Sequence, residues 1–465
     1  MAKEGAQLRQ GIGLFQAIMY GTGLILGAGI YVLIGDVAGI AGNAMWISFV
    51  IAAVIAAFTG LSYAELSSVF PRSAAEYVYV KSAFGSELFA FVTGWLVVFV
   101  ALVSAAAVAI GFSGYFASFV PGANPVLVAA LLVAGLSAVN FVGIRESVWT
   151  NTTFTIIEIA GLAIIIGAGL WMFSSGQPVA TVDYFEMPPA ITSPALAAGA
   201  LLGAVGLVFF AYFGFENLAN VAEETKNARR VIPVALVASI AITTAIYVLV
   251  AVAAVALAGW EALSSSDAPL ALAAEKAFGR TGTVLLSAIS LFATTNTVLM
   301  LLIAGSRIMF GMSGYGALPA SLAAVHPKTR TPYKAVAAAG VAAVAVVAAS
   351  SGRIDAVARV AVFGIFIIYA FVNLSLIWLR YKKPEMERPF RSPVAIGRFP
   401  LLAGLGLASS VAMLAQFDAA TAAAGAAAAG SAVVAYKVTV AAAARRLQKK
   451  AKKERRGGGP AEVGE

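Results

Sequence analysis

The sequence predicts an all-α polytopic membrane protein with about twelve transmembrane helices. Three observations lead there. The chain is 61% hydrophobic and 11% charged, with a mean hydropathy of +0.91, whereas soluble domains carry about 25% charged residues. Its apolar runs are continuous over the roughly 20 residues that a helix needs to cross a bilayer; barrel strands would alternate instead. Its basic residues gather in every second connection between those runs, the pattern that sets orientation.

Taken in order, spans are expected near 12–35, 43–69, 86–117, 125–143, 149–174, 197–221, 231–258, 281–312, 335–350, 356–379, 397–416 and 421–443. The polar start "MAKEGAQLRQ" has no cleavage pattern behind the first apolar run, so span one is expected to be retained and not removed as a signal peptide. Connections after even-numbered spans hold Arg72 and Lys81; Arg145; Lys226, Arg229 and Arg230; Lys328, Arg330 and Lys334; then Arg380, Lys382, Lys383, Arg388 and Arg391. Those after odd-numbered spans hold Lys276, Arg280 and Arg353 among Asp183, Glu186, Glu261 and Asp267. Both termini are therefore expected in the cytoplasm of a multi-pass cell-membrane protein. Residues 1–443 read as one transmembrane domain, and 444–465 as a basic cytoplasmic tail facing solvent or lipid headgroups. The net charge of +9 comes largely from these loops and implies the bilayer, not nucleic acid, as partner.

Residues 21–33, "GTGLILGAGIYVL", place Gly21, Gly23, Gly27 and Gly29 inside a membrane-spanning run. Glycine inside a helix costs about 1 kcal/mol relative to alanine, so these have a purpose: close packing of a neighbouring helix, or a break. Span six shows a parallel case. In "LLGAVGLVFFAYFGFENLAN", Gly214 lies at midspan and the carboxylate of Glu216 follows it. Interrupted segments at corresponding positions of two halves point to a transporter's binding site. A broken helix exposes amide N–H groups at the start of its second half and carbonyls at the end of its first. Together these suit a zwitterion with a carboxylate and an ammonium.

Other function classes find little support. There are no cysteines, and the single histidine, His326, stands beside Pro327 in a basic loop. No metal site, cofactor or catalytic constellation is expected, so the chain does not read as an enzyme. Midspan acids are too few and isolated to line a channel.

Five motifs bring a resemblance. "GAGIY" at 27–31, "LSYAELSSVFPRSAAEYVYVKSAFG" at 61–85, "FFAYFGFENLANVAEETKNARRVIP" at 209–233, "SRIMFGMSGYGALP" at 306–319 and "RPFRSP" at 388–393 stand in the order found in amino-acid permeases. The chain resembles members of the amino acid–polyamine–organocation superfamily over residues 10–440, close to prokaryotic amino-acid transporters and cationic amino-acid transporters. The resemblance implies a five-plus-five inverted repeat (about 12–174 and 197–379) with discontinuous helices 1 and 6, two additional helices (about 397–443), and alternating access. It assigns the substrate carboxylate to the amides of Ala28 and Gly29 beside Gly27, and the ammonium to the carbonyls of Ile25, Phe210 and Phe213. It makes Phe210 a gate and puts Glu216 at the end of the second break among the substrate-binding residues; a carboxylate that only reaches a nearby polar helix end is the other reading of Glu216. The chain departs from the family in "RSAAEY", where one or two glycines are usual, and in "SGYGALP", where a charged pair is common.

Glu158 lies about ten residues into span five, where proton-coupled relatives carry a lysine. A buried carboxyl favours its neutral form and can exchange protons near neutral pH. Glu158 is thus a candidate proton site; pairing with sodium or a basic substrate, with Thr294, Thr295 and Thr297 of span eight supplying oxygens, and a purely structural role are also open. Small residues in span three leave room for a side chain of some size, and the absence of a midspan arginine or lysine favours neutral or cationic amino acids over acidic ones. The expected function is secondary active amino-acid transport by proton symport; exchange, sodium coupling, and polyamine or organic-cation transport are the alternatives. No obligatory protein partner is expected, since the chain lacks the external cysteine that links animal relatives to a glycoprotein subunit.

Overall fold

The computed structural model describes residues 12–72, 74–142, 148–174, 182–329 and 331–457. Of the features expected above, the start "MAKEGAQLRQ", Ser73, Arg145, Arg330 and tail residues 458–465 lie outside these. Span one is two helices, α1 (Leu14–Leu26) and α2 (Ala28–Ala41). Spans two to five are α3 (Met45–Val69), α5 (Glu87–Ala117), α6 (Pro125–Val142) and α7 (Val148–Ser174), with the short helix α4 (Ala75–Phe84) between the first two. Span six is α8 (Pro194–Tyr212) followed by a single turn, α9 (Asn217–Asn220). Then come α10 (Ala228–Ser264), α11 (Pro269–Gly314), α12 (Tyr333–Ala349) and α13 (Ile354–Lys382). A small antiparallel hairpin, β1 (Ala395–Ile396) and β2 (Phe399–Pro400), leads into α14 (Leu401–Leu414) and α15 (Ala419–Gly457).

Among the described residues nine helical stretches are long and apolar enough to cross a membrane, the first of them, Leu14–Val69, holding two spans. With the shorter apolar helices Tyr333–Ala349 and Leu401–Leu414, each expected span has a helix. Four boundaries differ by more than a few residues, and one is α15, which runs on to Gly457, past the expected 443. Span one continues to Ala41, past the expected 35, because half-buried Asp36 sits within the helix without ending it. Helices α10 and α11 extend beyond their spans, and each turns at a glycine with positive φ, Gly259 (+73°) and Gly279 (+61°). The segments beyond those turns, with Glu261, Asp267 and Lys276, carry the polar residues that truncated the expected spans.

Helix α4 was not foreseen. It starts after Ala74, which adopts the left-handed region (φ +58°), within the "RSAAEY" stretch. The next amide, of Ala75, donates to Asn220 Oδ1 at 2.9 Å, tying α4 to α9.

Two distant motifs meet in a buried ionic cluster. Glu65, near the end of α3, receives Arg380 of α13 through Nε (3.0 Å) and Nη2 (2.5 Å). Arg388 Nε lies 3.2 Å from Glu65 Oε1, and the Ser392 amide donates to Oε2 at 2.8 Å. Glu65 and Arg380 are inaccessible to solvent, and such a pair holds its partners because breaking one side strands a buried charge, at about 3–5 kcal/mol. A neutral polar group is also matched across two helices: Asn373 of α13 donates to Thr59 Oγ1 (3.0 Å) and accepts from Ser62 (2.6 Å) of α3.

Candidate functional site

The first break falls at Gly27 (φ −32°, ψ −159°), whose amide makes the last α1 bond, to Gly23 O at 3.1 Å. In an unbroken helix Ile25 O would accept from the Gly29 amide. Here it accepts from Tyr247 of α10 (2.5 Å), whose hydroxyl also lies 2.9 Å from Ala211 O. The Ala28 amide, first in α2, donates to Thr297 Oγ1 of α11 at 3.0 Å. One of the two amides assigned to the carboxylate is thus already held, and Gly29 follows it in the first turn of α2, where amides lack partners within the helix.

The second break runs from Phe213 to Glu216. Gly214 has φ +126°, a region essentially closed to other residues. Its amide, which would otherwise close a bond to Phe210 O, goes to Glu216 Oε2 at 3.1 Å. Glu216 thereby releases the Phe210 carbonyl assigned to the substrate ammonium. The same carboxylate accepts from Tyr369 (2.9 Å) and from Asn217 Nδ2 (3.4 Å). It faces a small void beside Glu76 and Tyr369 and is not part of the central cavity. Of its two expected roles, the geometry is that of a carboxylate reaching a polar helix end.

The two breaks touch. A Cβ on Gly214 would stand 2.5 Å from Leu24 O, and one on Gly29 would stand 2.5 Å from Ala211 Cα. Gly21 and Gly23 lie within α1 and are packing glycines, against Ser239 of α10 and Thr155 of α7. So both readings of the glycine-rich stretch hold, at different residues.

Around the breaks lies a cavity of about 670 Å³. Ile25, Gly27, Ala28, Gly29, Phe210 and Phe213 line it together, with Ser104 and Val108 of α5 and Asn296, Thr297 and Met300 of α11. Its inner end is closed: Phe210 is 4% exposed. It opens toward Glu224, Arg307, Tyr315 and Val325, of which Tyr315 is 64% exposed. Arg307 lies ten residues beyond Thr297, about 15 Å along the helix, and so marks the mouth.

Glu158 is fully buried behind the wall. Its Oε1 accepts from Asn296 Nδ2 at 3.2 Å, its Oε2 has no partner among the described residues, and its backbone carbonyl accepts from Tyr31 at 2.8 Å. Thr294 and Thr295 do not join it. Their hydroxyls return to carbonyls of their own helix, Ser290 O and Leu291 O, both at 2.7 Å, and neither residue lines the cavity. Asn296 does both, touching Glu158 and facing the cavity. A threonine inside a membrane helix can satisfy itself on the preceding turn, whereas an asparagine amide needs an outside partner; Asn296 was the residue to single out.

A sequence model described as amino acid permease matches residues 12–442. The chain belongs to the amino acid permease family. It is 29% identical to the branched-chain amino acid permease of Bacillus subtilis, over 86% of each chain. It is 30% identical to the methylthioribose transporter of the same organism, covering 84% of this chain and 85% of that one. It is also 30% identical to human cationic amino acid transporter 4, covering 85% of this permease and 63% of the human protein. The family and these relatives are transporters, and the permease is an all-α multi-pass membrane protein.

Proposed function

We propose that this permease is a secondary active transporter of neutral amino acids, coupled to protons through Glu158. The observation that carries the reading is the contact of two helix breaks at the closed end of one cavity. That arrangement offers helix-terminal amides to a carboxylate and released carbonyls to an ammonium within one small volume. The charged residues among the described lining, Glu224 and Arg307, stand at the mouth, which favours neutral over cationic side chains at depth.

The mouth lies on the side of the connections after spans six and eight, where basic residues gather. With both termini in the cytoplasm, the cavity opens inward, and alternating access requires it to close there and open on the far side. The five-plus-five inverted repeat supplies the two pseudo-equivalent halves for that motion. Glu158 accepts a proton in a pocket that water does not reach, and Asn296 carries its state to the cavity. The hydroxyls of Thr294 and Thr295 are committed to their own helix, which weighs against a sodium site built on them.

The test is uptake of radiolabelled neutral amino acids into proteoliposomes under an imposed pH gradient, then a sodium gradient, with wild type and Glu158→Gln. Acid outside should drive accumulation in the wild type, and the variant should retain only exchange. Uptake that ignores pH and survives the substitution would make Glu158 structural and the protein an exchanger or a sodium-coupled carrier. No amino-acid movement at all would turn the reading to polyamines or other organic cations.

A further inference from the structure

Ser104 lies near the middle of α5, is fully buried, and lines the cavity. Its hydroxyl has no hydrogen-bond partner among the described residues. That separates it from the hydroxyls on α11: Ser290, Thr294, Thr295 and Thr297 each donate to a carbonyl four residues earlier. A buried hydroxyl left unmet is unfavourable, and a ligand that supplies the partner removes the penalty.

The surroundings define what kind of ligand group that is. Leu102 of α5 packs against Gly305 of α11, and Tyr115 of α5 donates to the Tyr31 carbonyl of α2. Ser104 and Val108, one helical turn apart, therefore face the cavity between the break in span one and the mouth. The apolar part of the cavity lining includes Phe210, Met300, Leu301 and Ala304. Asn296 and Thr297 also line the cavity but are already bonded, to Glu158 and to Ala28 and Ala293; an apolar wall with one unmet hydroxyl suits an uncharged side chain of moderate size bearing one polar atom.

We propose that Ser104 is a specificity-determining residue, selecting neutral amino acids with a side-chain hydroxyl over apolar side chains of the same shape. This rests on the amino-acid reading above. In the open cavity the hydroxyl is sealed from water; when the walls close on a substrate, a change in its single side-chain torsion turns it toward the substrate's polar atom. A site that hydrogen-bonds a substrate hydroxyl rejects the analogue lacking it, because the site's own group is then left unpaired. Threonine and valine are such a pair.

Wild type, Ser104→Ala and Ser104→Thr are reconstituted and supplied with labelled threonine and valine in competition. The wild type should prefer threonine. The threonine-to-valine ratio should fall roughly five- to tenfold in Ser104→Ala and persist in Ser104→Thr, with valine uptake showing that each variant is folded. An unchanged ratio in Ser104→Ala overturns the proposal. So does a wild-type preference for valine, a result that needs no variant to fold. If other amino acids move but neither of these does, the proposal for Ser104 fails alone. If no amino acid moves, the amino-acid reading fails and the proposal falls with it.

Discussion

Replacing Gly214 by alanine perturbs the point where the two breaks meet. The new methyl would sit 2.5 Å from Leu24 O, a backbone atom that no rotamer change can withdraw. The residue would also have to keep φ near +126°. Backbone strain of this kind costs about 1–3 kcal/mol and overpacking about another 1–3 kcal/mol, so the local penalty is roughly 2–6 kcal/mol. The paired control is Gly203→Ala, in α8, where an added Cβ meets nothing within 4 Å and should stabilise by up to about 1 kcal/mol. Detergent-solubilised protein would be followed by thermal unfolding, and reconstituted protein by amino-acid uptake. Gly214→Ala should melt earlier and lose uptake, while Gly203→Ala should melt no earlier and transport normally. Normal stability and uptake in Gly214→Ala would refute the close contact of the breaks.

Two further outcomes follow from the region around α4. Ala74→Gly removes the penalty of a left-handed alanine (φ +58°) and should raise stability by roughly 1 kcal/mol, read as a higher unfolding temperature; a lower one would count against this backbone. Glu76 is buried against Tyr63, which donates to its Oε1 at 3.2 Å, and burial raises its pKa above the ordinary 4.5. A raised carboxyl pKa makes no difference to stability while the group is protonated in both states and becomes a growing penalty as pH rises above 4.5 toward the folded value. Glu76→Gln should therefore gain thermal stability relative to wild type with rising pH, and a difference independent of pH would contradict the assignment.

Much of this architecture was legible because the bilayer enforces it: long apolar runs and the basic loops between them need no tertiary information. The breaks were legible because glycines inside such runs are unfavourable without a purpose. What stayed hidden depends on contacts between distant residues. Glu65 and Arg380 are separated by 315 positions, and nothing local in "LSYAEL" names the partner. Glu216 was visible as a midspan acid, but its direction is set by the Gly214 amide and by Tyr369. Thr294 and Thr295 were overrated as oxygen donors because sequence does not show that their hydroxyls turn back on their own helix; Asn296, between them and Thr297, was overlooked. The hydroxyl of Ser104 is meaningful only once its lack of a partner is seen. Helix α4 was missed because ten residues with Glu76, Lys81 and three aromatic rings lack the continuous apolar run by which spans are found.

The most direct test of the central claim is whether the breaks hold an amino-acid zwitterion by its carboxylate. Reconstituted wild-type permease would be given a labelled neutral amino acid, with unlabelled amino acid or its carboxamide as competitor. The carboxamide keeps the ammonium and the side chain and loses the anion. Failure of the carboxamide to compete, at concentrations where the parent amino acid blocks uptake fully, is the predicted result. Equal competition by both would contradict it and leave the amide end of α2 without its assigned ligand.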